Sequence, residues 1–252
     1  MLIVVIPVFI LSFWFARKYR ASNPRSLYTP KWSYSLKVDL LIWLVPFGIV
    51  TVLGIMSWKG THRLNPYTPL EPGVTPIRIE AVSLDWKWLF IYPDHKIATV
   101  NQLVFPAKAP LSFRITSDTV MTSFFIPQLG SQIYAMAGMQ TQLHLMANEA
   151  GTYAGQNQQF SGRGFYAMHF TAIAVSREEF EAWVQKVRQS TETLDLVRFE
   201  ELEKPSIGYP VTYFSAVRPD LFDFVVGKYA PERNPGLGQA RTEPAEGSGY
   251  VR

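Results

Sequence analysis

GTYAGQNQQFSGRGFYAM, residues 151–168, is framed by glycines, turns at SGRG and runs into the alternating segment GFYAMHFTAIAV, and it holds no cysteine and no histidine. A long polar turn feeding a half-buried strand is β architecture, and the same pattern extends outward from it. In LSFRITS, Leu111, Phe113 and Ile115 fall on one face and Ser112, Arg114 and Thr116 on the other, the period of a strand with one buried side. IRIEAVSLDWKW, KIATVNQLVF and QTQLHLMA read the same way, with YPD and NEAG as intervening turns. Residues 76–175 are therefore expected to form an antiparallel β-sandwich or barrel. No nucleotide-binding glycine motif and no G-x-S-x-G elbow is present.

The 252 residues, 48% hydrophobic and 14% aromatic, are enough for one substantial core plus something else, and are far from a disordered composition. A formal charge of +4 is small for this length and argues against a nucleic-acid partner. Zero cysteines exclude disulfides, zinc ribbons, iron–sulfur clusters and thiolate-ligated copper.

Residues 38–58, VDLLIWLVPFGIVTVLGIMSW, carry one charge, at their start, and are long enough for a transmembrane helix; Pro46 interrupts it. Residues 1–16, MLIVVIPVFILSFWFA, are apolar but short of a span, and read as a helix cut near its start. Arg17, Lys18 and Arg20 follow that run instead of preceding it, the reverse of a signal peptide. Arg17, Lys18, Arg20, Arg25, Lys31 and Lys37, with no acid among them, place the intervening segment on the cytoplasmic side. The expectation is a transmembrane hairpin over residues 1–58, a linker over 59–75 and a β-domain on the outer face. Asp39 has two readings from position alone: a solvated carboxylate favoured by the helix dipole, or an intramembrane acid at the mouth of a proton path.

The histidines give no metal site: His62 and His95 fall in linker or turn context, His144 on the polar side of its strand, and His169 points opposite to its neighbour Met168. From Ser176 the period becomes helical. S-R-E-E is a capping box, and Phe180, Trp183, Val184 and Val187 follow on one face. A second helix is expected from about Thr193 to Lys204, and a third after Pro219 with Phe222, Val225, Val226 and Tyr229 in a stripe. Residues 176–230 thus form a helical, aromatic-rich extension, and 231–252, rich in Gly, Pro and charge, a disordered tail.

The order of DWKWLFIY, FIPQLGSQIYAMAGM and the quoted loop resembles subunit II of the haem-copper respiratory oxidases, over most of the chain to about residue 230. The resemblance implies a cupredoxin-like domain. In the cytochrome c oxidase branch this domain holds a dinuclear copper centre in a V-x-H-S-F-x-x-P segment and a C-x-E-x-C-G-x-x-H-x-x-M loop. Carried onto this sequence, the ligand positions are Thr122, Asn157, Gln159, Ser161, Phe165 and Met168, of which Met168 alone keeps the family identity. An amide, two hydroxyls and a phenyl ring cannot replace two bridging thiolates and two imidazoles. Around Tyr134, Ala137 and Met139, IYAMAGM also lacks the acid and the PGR of the copper branch, so the edge that steers basic cytochrome c is gone. Both subtractions match the cytochrome bo-type quinol-oxidase branch, as does YPVTYFSAVRPDLFDFVVGKY after the domain.

That resemblance implies a subunit without a redox centre, anchored in the bacterial inner membrane with its β-domain on the periplasmic side. Haems and copper reside in subunit I, and the partners are subunit I, the smaller subunits and membrane lipid. Quinol is met through subunit I; cytochrome c and nucleic acid are not partners. It also implies an upstream lipoprotein signal, and it moves Asp39 to the proton-path reading, although the family more usually has Glu there. Trp86 falls where the copper branch admits electrons and is expected as a strand aromatic at a subunit interface. The rival readings are a membrane-anchored binding protein on a retired cupredoxin fold, which would purify without haem, and a copper-bearing electron-entry subunit.

Overall fold

The computed structural model describes residues 2–24, 33–70 and 73–229; Arg25, Lys31 and the tail 231–252 lie outside the described residues. The chain divides into two units, Met1–Arg63 and Leu64–Arg252. The first contains α1 (Leu2–Lys18) and α2 (Leu36–Arg63), neither with a buried residue. Ser12 and Thr51 turn their hydroxyls back onto the carbonyls of Val8 and Phe47, at 2.7 and 2.8 Å, so these two hydroxyls are satisfied within their own helices.

Among the described residues, α2 is the one helix with both the length and the apolarity of a membrane crossing. Its 28 residues at 1.5 Å per residue reach about 42 Å, whereas the 17 of α1 reach about 26 Å, short of the ~30 Å hydrocarbon layer. The expected pair of transmembrane helices is therefore corrected to one membrane-length helix.

The second unit contains β1 (Ile77–Leu84), β2 (Lys87–Tyr92), β3 (Ile97–Val100), β4 (Gln102–Pro106), β5 (Leu111–Ser117), β6 (Thr122–Phe124), β7 (Ile133–Ala135), β8 (Thr141–Leu145), β9 (Gly151–Gln156) and β10 (His169–Val175). After these come α3 (Arg177–Arg188), β11 (Thr193–Leu194), α4 (Leu196–Glu203), β12 (Thr212–Phe214), β13 (Ala216–Val217) and α5 (Leu221–Lys228). The main sheet runs β12-β3-β2-β1-β5-β8, and β4-β10-β9 lies in a second sheet. KIATVNQLVF is split between the two: Asn101 takes φ +58 and sends β4 away from β3.

This corrects the all-β, antiparallel reading. The fold is mixed α/β: β1 pairs with β5, β4 with β10 and β11 with β13 in parallel, and the described strands close no barrel. The physical reason lies in the extension. Strand β12 joins the edge of the main sheet against β3, and α4 and α5 cover the face of that sheet turned away from β4-β10-β9. Ile79, Trp88, Phe90 and Tyr92 pack into one core with Phe124 and Phe170; Val82, Leu89, Ile91 and Val100 pack on the other side with Phe199, Phe214 and Phe222. Every residue of β2 is buried, Lys87 included. A sheet covered on both faces needs a helical layer, which a one-sided sandwich does not.

Capping explains where the extension's helices begin. The Ser176 hydroxyl accepts from Glu179 N at 3.2 Å while Glu179 accepts from Ser176 N at 2.9 Å, so α3 starts at the box read from sequence. In α4, Asp195 is the N-cap, accepting from Arg198 N at 2.8 Å, and the helix is shorter than the Thr193 to Lys204 span because Thr193 and Leu194 pair with β13. Arg114 on β5 fixes α5 with bonds to Glu80 (2.7 Å) and Asp223 (2.6 Å) and its guanidinium 4.5 Å from the Phe222 ring centroid.

Candidate functional site

Strands β9 and β10 pair in antiparallel register from His169↔Gln156 to Ala174↔Gly151, so residues 157–168 must close as an excursion at one end of the domain. Asn157, 4% exposed, is the centre of that excursion. Its Oδ1 accepts from Ser123 N and Gln159 N, both at 2.9 Å. Its Nδ2 donates to Gln159 O at 2.8 Å, Ser161 Oγ at 3.2 Å and Met168 Sδ at 3.4 Å. The Ser123 hydroxyl accepts from Gln158 N at 2.8 Å, tying the loop to β6 a second time. One amide therefore satisfies the backbone of a buried turn that would otherwise be short of partners.

A second clamp acts from the β1–β2 turn. Trp86 takes φ +63, a left-handed conformation that costs a residue with a Cβ roughly 1–2 kcal/mol, and its Nε1 donates to Ser161 O at 2.8 Å. The indole lies against Gly162 and Gly164. A Cβ on Gly164 would sit 2.2 Å from Trp86 Cδ2, so glycine is obligatory for this approach. Trp86 is thus a buttress of the loop from a turn, where the sequence placed it on a strand at a subunit interface.

Of the positions read from sequence, Asn157, Ser161, Met168 and the backbone of Gln159 are brought together. Thr122 is adjacent in sequence to Ser123 but bonds elsewhere, to Ser83 Oγ at 2.7 Å. Phe165 sits in a 3-10 turn, Phe165–Ala167, with its ring centroid 5.9 Å from that of Phe160. Asp39 is in the first turn of α2, partly exposed, its backbone N donating to Ser35 O at 3.0 Å. His144, on the polar side of its strand and partly exposed, lies within hydrogen-bond distance of Ser112 Oγ at 3.3 Å and Pro66 O at 3.0 Å. Ser123 and Ser83 were invisible as site residues, because nothing local in sequence says which serine accepts from a loop 35 residues away.

The rim of this end is largely apolar, and the exposed Arg163 of the loop lies on it. Val120, Met121, Tyr134, Met139, Phe160 and Tyr166 are exposed, Phe160 by 79% and Tyr166 by 69%. From Thr119 to Gly162 the sequence has a single ionised side chain, Glu149.

Residues 93–175 match the family described as cytochrome c oxidase subunit II, periplasmic domain, and residues 188–232 that described as the COX aromatic rich motif. The chain is 54% identical over 229 residues, 91% of its own length and 69% of the other, to the cytochrome bo(3) ubiquinol oxidase subunit 2 of Pseudomonas aeruginosa. It is 53% identical to that of Pseudomonas putida, over 91% of this chain and 73% of the other. It is 52% identical to the ubiquinol oxidase subunit 2 of Acetobacter aceti, over 91% and 75%. The chain belongs to the quinol oxidase subunit 2 family.

Membership brings the copper question to a definite test, since the domain family is named for cytochrome c oxidase. The donors here do not fit a dinuclear copper centre. There is no thiolate, the Phe165 ring has no lone pair, and the Asn157 amide and the Met168 sulfur are already engaged with each other. Among the described residues no group of three His, Cys, Asp or Glu converges on a point. The chain is membrane-anchored through α2, carries a periplasmic-type domain and is part of a larger oxidase complex.

Proposed function

We propose that this chain is the non-redox subunit II of a proton-translocating ubiquinol oxidase of a bacterial inner membrane, in which ubiquinol is oxidised and dioxygen reduced to water at haems and copper held by subunit I. The observation that carries this reading is the loop centred on Asn157: the positions that would relay electrons from cytochrome c are filled by a closed hydrogen-bond network. A loop so tied is a rigid platform, and what it displays is Phe160, Tyr166 and the methionine-bearing rim. Aromatic and methionine enrichment with charge depletion is the composition of a protein interface core. The rim is the face that caps subunit I, with the smaller subunits and lipid as further neighbours. A basic cytochrome c finds no acidic patch on it.

The test is purification of the full chain from membranes. A haem-bearing large subunit and quinol-driven oxygen consumption are expected to copurify with it, and a chain recovered without haem would sink the reading.

The same reading gives Asp39 its role, an acid at the entrance of a proton-uptake path. Its place in the first turn of α2, the one membrane-length helix among the described residues, supports this. Asp39→Asn is expected to lower turnover of the assembled complex several-fold with assembly intact. Unchanged turnover and pumping would return Asp39 to a solvated helix-end carboxylate.

A further inference from the structure

Beyond the last turn of α1 the chain folds back on itself. Asn23 Nδ2 donates to Lys18 O at 2.7 Å, satisfying a carbonyl that the helix end leaves free, and Arg20 Nε donates to Ser22 Oγ at 2.6 Å. Lys18 Nζ lies 4.5 Å from the Trp14 ring centroid. Together Trp14, Arg17, Lys18, Arg20, Ser22 and Asn23 line an open recess of about 520 Å³ at the polar end of a helix whose residues Leu2 to Phe15 are apolar and exposed almost throughout. Three cations share it, and the first acid anywhere in the sequence is Asp39.

We infer that this recess binds the phosphate headgroup of an anionic membrane lipid, with the lipid's acyl chains along the apolar side of α1. The inference rests on the proposed orientation, in which a segment preceding α2 faces the inner leaflet, where anionic lipids concentrate. Charge complementarity selects the occupant. Arg17 and Arg20 offer planar forks suited to phosphate oxygens, Lys18 a point charge, and no carboxylate competes. Trp14 sits one turn nearer the apolar part, at the depth where an indole meets the glycerol region. Ser22 holds the Arg20 guanidinium, so part of the ordering cost is met before the lipid arrives.

The test uses the full chain, with its complex, in nanodiscs of mixed phosphatidylglycerol and phosphatidylcholine, followed by native mass spectrometry of the retained lipid. Retained phosphatidylglycerol is expected to exceed its bulk ratio several-fold. The R17Q/K18Q/R20Q chain is expected to fall to the bulk ratio, and R17K/R20K to keep most of the enrichment. A Lys59→Gln control, at the far end of α2, should change nothing. Inorganic phosphate in excess should leave the retained lipid in place; displacement by phosphate would make this a bare anion site and overturn the proposal. Equal retention of both lipids by the parent chain would overturn it too. Haem content read from the same samples separates failure of this site from failure of the oxidase assignment.

Discussion

Replacing Asn157 by leucine is expected to destabilise the outer domain by about 3–5 kcal/mol and to abolish copurification of the large subunit. The side chains are of similar size and the site is buried, so packing volume is not the issue. Leucine strands Ser123 N, Gln159 N and Gln159 O, each of which now meets the amide, and a buried group left unpaired costs about 1–3 kcal/mol. Partial relaxation of the loop toward water keeps the total below the sum. Asn157→Asp keeps the two accepted bonds but turns a carboxylate toward Gln159 O and Ser161 Oγ, so its loss should be comparable at pH 8 and smaller at pH 5, where the protonated acid can donate. Thermal unfolding of the full chain at both pH values checks this. An unaltered midpoint for Asn157→Leu would mean that the loop is held by the Trp86 clamp alone.

The same amide shows how far the sequence could be read. The resemblance to the copper-binding loop of the family placed Asn157, Ser161 and Met168 at related positions. What these residues bond to was not legible. Ser123 and Trp86 reach the loop through side-chain hydrogen bonds between segments 35 and 75 residues apart, and no local period encodes that. The strands themselves were legible from alternation, but their partners were not: β5 alternates in the same way whether β1 beside it is parallel or antiparallel. The all-β reading failed at β2. KWLFIY was read only as part of the family stretch DWKWLFIY, whereas its continuous burial means a covered second face. The stripes of the extension were recognised as helices, and which sheet face they cover is what the structure adds. The apolar residues 1–16 were read as the first helix of a transmembrane hairpin, whereas among the described residues α2 alone has membrane length.

That cover is tied down by an ion triad, and its removal gives the second large effect. Lys228 Nζ, at the end of α5, lies 3.1 Å from Asp118 Oδ1 and 2.8 Å from Glu203 Oε1, joining the end of β5, the last turn of α4 and the last turn of α5. Burial pushes the Asp118 carboxyl up to about 6, against the pull of the Lys228 ammonium. Burial also works against the Lys228 charge, but bonds to Glu203 and Asp118 hold it above the ordinary lysine range. A carboxylate whose folded pKa lies above its unfolded value near 4 takes up protons on folding, so its contribution makes the fold more stable below that range and less so as pH rises from about 4 through 6. Lys228→Met leaves Asp118 buried and unpaired. Breaking such a pair costs about 3–5 kcal/mol when fully buried; with Lys228 a third exposed, about 2–4 kcal/mol is expected at pH 8. Without the ammonium the Asp118 carboxyl rises further, so most of the loss should be recovered by pH 5, where it is protonated and uncharged. Asp118→Asn combined with Lys228→Met should remove most of the pH dependence, because the carboxylate then left without its ammonium partner is the more exposed Glu203. A Lys228→Met penalty equal at pH 8 and pH 5 would show that the triad is a solvated surface pair and that packing of Phe199, Phe214 and Phe222 alone seats the extension.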